Sequence, residues 1–168
     1  VYKRQVPSSM LATVSALSAQ NLGAGKEKRA TDTLRYATVI TTIYGMIVAV
    51  LIQFIAENVV GIFTSDTTVV TMGSAYIRSY IWDCIFAGIH FSFSGYFAAC
   101  GKSYIGFLHN IISITFVRVP GSYLASKYFT DTLYPMGLAA PAGSLVSVAI
   151  CVTAFILLKS CLLYTSPS

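Results

Sequence analysis

Asp83 sits about midway along an apolar stretch running from Val69 to Cys100, where a bilayer would leave a carboxylate without water. Burying an Asp at the centre of a membrane helix costs roughly 2.5 to 3.5 kcal/mol on insertion scales, so a residue kept there is a candidate for binding, coupling or proton transfer. At about 100° per residue, Tyr76, Ser79, Asp83, Phe86, His90, Ser94 and Phe97 fall on one helical stripe roughly 80° wide. A polar and aromatic stripe on an apolar helix faces the protein interior or a wet cavity. The chemistry suits a cation, because a desolvated carboxylate supplies charge and Phe or Tyr faces add about 0.5 to 2 kcal/mol of cation–π attraction. An ordinary helix contact is the plainer reading of the same stripe.

The candidate binding residues are therefore Asp83, Ser79, His90, Phe86 and Tyr76, with Asp83 also the candidate oxygen ligand for a sodium ion. A coupling carboxylate takes up a proton or Na+ on one side and releases it when a cationic substrate competes from the other. His90 lies two turns from Asp83, about 10 Å along the axis, and reads either as a relay or as a satisfied interior imidazole. Arg78, near a helix end, can snorkel. Arg118 lies deeper and needs an acceptor, expected to be a helix carbonyl freed by Pro120. Pro120 and Pro141 are the expected bends and candidate hinges.

Other chemistries find no support. The GAGK at Gly23 to Lys26 lacks the spacing of a phosphate loop. Ser, His and Asp show no hydrolytic arrangement, so no catalytic residue and no enzyme activity are expected. Cys84, Cys100, Cys151 and Cys161 have no CxxC spacing and make no ligand set with His90 and His109. The only cofactor-like species expected is the coupling ion.

These residues must be carried by membrane helices. Of 168 residues 55% are hydrophobic and 10% charged, against about 25% charged in soluble domains. The net charge of +5 lies in short clusters between apolar runs, which are topology signals rather than a nucleic-acid surface. A span needs about 20 apolar residues. The expected spans are 7–22 (partial), 34–56, 72–100, 104–128 and 133–158, within a membrane unit of residues 6–160. Residues 1–5 and 161–168 are set aside as non-native flanks. The breaks carry Lys26, Lys28 and Arg29, then Glu57 and Asp66, then Lys102, then Lys127 with Asp131, and finally Lys159. The positive-inside rule puts the first and third breaks and the C-terminus in the cytoplasm. Small residues at Ser8, Ala12, Ala16 and Ala19, and at Gly137, Ala140, Gly143, Ser144 and Ser147, let helices pack closely in lipid.

With these spans, the Asp on one of them and the segments ALSAQNLGAGKEKRA (16–30), YIRSYIWDCIF (76–86), GYFAACGKS (95–103), VRVPGSYLAS (117–126) and GLAAP (137–141), the chain resembles the multidrug and toxic compound extrusion transporters. The resemblance implies an all-α polytopic bundle: helices eight to twelve of a twelve-helix fold, most of its C-terminal lobe. It implies efflux of organic cations and other drugs by antiport with Na+ or H+, and it puts Asp83 at the position of the family's coupling acid on the tenth helix. The implied partners are cationic small-molecule drugs, the lipid bilayer and an N-terminal lobe of the same protein, in a bacterial plasma membrane. The rivals are a lipid-linked oligosaccharide or polysaccharide flippase of the same broad fold, which needs a cationic cavity, and a non-transporting membrane fragment.

Overall fold

The computed structural model describes residues 2–165, with side chains for residue 6 and residues 8–158; residue 1 and residues 166–168 lie outside the described part. All regular structure among the described residues is helical. The elements are α1 (Tyr2–Gly23), α2 (Glu27–Gly61), α3 (Thr67–Tyr80), α4 (Asp83–Ala99), α5 (Ser103–Ser113), a π-helical turn (Ile114–Arg118), α6 (Val119–Tyr128) and α7 (Tyr134–Thr165). Of the expected flanks, residue 1 and residues 166–168 are not described, while the backbone of α1 and α7 runs through the rest.

Two expected spans are redrawn. The segment 34–56 is part of a longer helix, because α2 starts at Glu27, whose carboxylate stands in the first turn where the helix dipole favours negative charge. The segment 72–100 is two helices rather than one. Between them, at Ile81 and Trp82, the chain keeps right-handed dihedrals but tightens: the Cys84 and Ile85 amides reach back only three residues, to Ile81 O (3.0 Å) and Trp82 O (3.2 Å). In a regular helix the Arg78 carbonyl would accept the amide of residue 82; here it accepts Gln53 Nε2 of α2 at 3.0 Å. That bond supplies a partner for a carbonyl at a helix irregularity, as an apolar surround requires.

The basic breaks share one turn. After α1, Lys26 N–H bonds Asn21 O and Gly25 N–H bonds Leu22 O; after α4, Lys102 N–H bonds Phe97 O and Gly101 N–H bonds Ala98 O. Both are Schellman closures, and Gly25 (φ +69°) and Gly101 (φ +70°) supply the left-handed residue each requires. On the far side, Asp66 caps α3 by accepting from Thr68 N–H at 2.8 Å.

Close helix approach builds the bundle. A Cβ on Gly45 would stand 2.9 Å from Ile85 Cα, one on Gly88 2.7 Å from Thr41 Cβ, and one on Gly95 2.5 Å from Leu11 O, so α4 lies in backbone contact with α2 and α1. Helix α4 also packs on α5 and α7, and α7 in turn on α3 and α6. Leu22, Ala30, Cys100, Ile105 and Leu158 belong to one apolar cluster, which gathers both basic turns and the stretch of α7 just before Lys159 at one end of the bundle. The outer face is apolar: on α2, Ile43 is 55% and Phe54 80% exposed. By length and composition, α2 and Tyr134–Leu158 suffice to cross a membrane.

Candidate functional site

Asp83 opens α4 immediately after the tightened turn, equidistant in sequence from the start of α3 and the end of α4. Its carboxylate therefore stands at a helix N-terminus, where the dipole favours a negative charge. The residue is buried, 8% exposed, and its contacts converge on one carboxylate oxygen. Oδ1 accepts a hydrogen bond from Ser144 Oγ of α7 at 2.5 Å, and Arg118 Nη2 pairs with the same oxygen at 3.3 Å. Arg118 Nη2 also donates to Ser144 Oγ at 2.5 Å. The serine hydroxyl thus links the two charges, accepting from the guanidinium and donating its one proton to the carboxylate.

Arg118 reaches this point from the last residue of the π-helical turn. There the Val119 amide bonds Ile114 O, five residues back, and the next residue, Pro120, has no amide to offer the continuing helix. The expected acceptor for Arg118, a carbonyl freed by Pro120, is replaced by Asp83 and Ser144. Arg118 is held where it is by the absence of a side chain on α7: a Cβ at Gly143 would meet Arg118 Cγ at 2.5 Å. The neighbouring Ser113 of α5 bonds Gly143 O at 2.6 Å and ties α5 to α7 at the same level.

A cavity of about 390 Å³ opens beside the pair. Asp83, His90, Asn110 and Arg118 supply its polar groups, and Tyr80, Phe91 and Phe107 supply aromatic wall. Its volume is in the range that holds a small organic ligand. His90 is buried, lies against Phe91 with ring centroids 4.8 Å apart and meets His109 edge to face at 5.3 Å. Ser94 Oγ spends its proton on His90 O (2.9 Å), so His109 Nε2, also at 2.9 Å, carries the proton and donates to the serine. The Nδ1 atoms of both histidines are buried with no partner among the described residues.

Of the residues singled out from sequence, Asp83 and His90 line this cavity, while Tyr76, Ser79 and Phe86 are not among its lining. Tyr76 stacks on Tyr80 (centroids 5.5 Å), and Ser79 is fully buried, donates to Tyr76 O at 2.9 Å and lies against Gly137 of α7. The single stripe assumed an unbroken helix. The tightened turn at 81–82 shifts the phase, so residues before it follow α3 toward α7. Arg78 pairs with Glu57 at 3.1 Å near the opposite end, where both side chains are partly exposed. Pro141 lies inside α7 without ending it.

Sequence reasoning missed Ser144 as a ligand of Asp83 and Arg118 as its counter-charge. Ser144 carried no distinguishing signal among the small residues of its helix. For Arg118 there was one: two isolated charges of opposite sign, each deep in a different apolar segment, satisfy each other at the least cost.

The MatE family model matches residues 5–124. The chain is similar to Protein DETOXIFICATION 14 of Arabidopsis thaliana, 29% identical over 147 residues that cover 87% of this chain and 30% of that relative. The chain thus spans under a third of the length of the curated relative it matches. No solved structure matches.

Proposed function

The chain belongs to the MatE family, and from that premise we propose that it forms part of the C-terminal lobe of a membrane transporter that exports organic cations in exchange for Na+ or H+. Asp83 is the coupling carboxylate in this reading. The observation that carries it is the position of Asp83: a buried acid at a helix irregularity, opening on a cavity with aromatic walls. Such a site offers charge and π-faces to a cation while water is largely excluded. The Asp83 carboxylate and the Ser144 hydroxyl are hard oxygen donors of the kind Na+ accepts, and a carboxylate is also a group that proton-coupled exchange can use.

Alternation follows from competition. Cargo and coupling ion both need Asp83, so each leaves when the other arrives, and lobes rocking about a midplane site convert that exchange into transport. A second lobe of the same protein closes the cavity from the far side. The basic turns at Lys26 to Arg29 and at Lys102 face the cytoplasm, as does the C-terminus, in a plasma membrane. A flippase for anionic lipid-linked sugars is disfavoured, because Arg118 in the cavity wall is offset by Asp83.

The test is ion-driven export of an organic cation by the full-length protein carrying Asp83→Asn in proteoliposomes. The expected result is loss of gradient-driven transport. Export at the wild-type rate would overturn the reading.

A further inference from the structure

We propose that Arg118 is a tethered counter-cation that latches Asp83 when neither ion nor cargo is bound, and that either ligand binds by displacing it. The inference rests on Asp83 being the cation site. Among the described residues, Arg118 is the one Lys or Arg in the cavity wall, and it already neutralises the acid that a cation would seek. Its hold is loose. A charge-assisted N–H to carboxylate bond closes to about 2.7 to 2.9 Å, whereas Arg118 Nη2 stops at 3.3 Å from Oδ1, with the Ser144 hydroxyl at 2.5 Å from both partners. Arg118 Nε is buried and has no partner among the described residues, so the guanidinium uses only part of its hydrogen-bonding fork here.

The pair also crosslinks three elements. Asp83 belongs to α4, Arg118 to the π-helical turn and Ser144 to α7, so the closed triad resists movement of these helices past one another. An empty carrier held this way does not reorient. A cation arriving at Asp83 takes over the carboxylate, frees Arg118 and releases the crosslink. Binding is therefore weakened by the fraction of molecules in which Arg118 occupies the site, and removing the latch restores the intrinsic affinity. It also removes the restraint that keeps ion movement tied to cargo.

The experiment uses the full-length protein in proteoliposomes with tetraphenylphosphonium as the cation. Two readouts are needed: the half-saturating concentration of tetraphenylphosphonium, and ion flux in its absence. Arg118→Gln is expected to lower the half-saturating concentration by about tenfold and to open a cargo-independent ion flux, while gradient-driven accumulation falls. A purely structural arginine would raise the half-saturating concentration and lower every flux. Ser144→Ala, which removes only the bridging hydroxyl, should lower the half-saturating concentration of tetraphenylphosphonium by a smaller factor, and that readout serves if the Gln variant does not fold. An unchanged or raised half-saturating concentration with no cargo-independent flux overturns the latch. Asp83→Asn separates the two claims: if it binds tetraphenylphosphonium as the wild type does, the Asp83 site itself is wrong; if it does not bind and the Arg118 and Ser144 variants behave as wild type, only the latch is wrong.

Discussion

Ser144 and Asp83, 61 residues apart, are joined by a 2.5 Å hydrogen bond that couples the start of α4 to the first third of α7. The hydroxyl belongs to a stripe of small residues whose evident role is close packing: the neighbouring Gly143 leaves room for the Arg118 side chain, and the Ser144 oxygen bridges that side chain to the acid.

Replacing Ser144 by Ala should therefore cost stability as well as alter binding. A hydrogen bond to a charged group contributes about 1.5 to 3 kcal/mol, and here the carboxylate keeps a single, longer contact. Thermal unfolding in detergent checks the stability loss, and Ser144→Thr, which retains the hydroxyl, should recover part of it.

Gly88→Val should destabilise the bundle by about 1 to 3 kcal/mol, since the new side chain lands on Thr41 where α2 and α4 touch. Gly61→Ala is the control, because nothing lies within 4 Å of a Cβ at that position. Comparing the two melting temperatures decides whether α2 and α4 approach as closely as described; equal values would count against it.

The two basic turns should respond alike. Gly25→Ala and Gly101→Ala each force a side chain into the left-handed region, at roughly 1 to 2 kcal/mol. Faster amide exchange is expected at Lys26 and Lys102, whose N–H groups close the two turns. Exchange unchanged in either variant would contradict the Schellman geometry there.

Asp66→Ala should fray the start of α3 by about 1 kcal/mol, because its carboxylate caps the Thr68 amide. Hydrogen exchange confined to the first turn of α3 is the signature. Asp66→Asn should retain most of the protection.

Much of the architecture was legible in the sequence because lipid imposes a simple rule: apolar runs become helices, and Gly and charge mark their ends. GAGKEKRA, TSDTT and CGKS all fall at observed turns. The break between α3 and α4 was not legible. Tyr80, Ile81 and Trp82 include no Gly or Pro, and the tightening is satisfied by Gln53, a residue on another helix. A stripe counted from Tyr76 to Phe97 therefore crosses from α3 to α4 at that turn: Tyr76 and Ser79 lie on α3 outside the cavity lining, while Tyr76 still feels the charge of Asp83. Pro120 announced an irregularity, but not its π-helical form over Ile114–Arg118, whose last residue meets Asp83 across the bundle. The pairing of Asp83 with Arg118 and Ser144 is a tertiary contact between elements far apart in sequence, and local periodicity carries no record of it.

The most direct measurement is ion release on cargo binding. The full-length protein is loaded with Na+ or protons in detergent, tetraphenylphosphonium is added, and the freed ion is recorded for the wild type and for Asp83→Asn. If one carboxylate serves both ligands, the wild type releases its ion as tetraphenylphosphonium binds and the Asn variant releases none. Equal release from both proteins would contradict the assignment of Asp83 as the shared site.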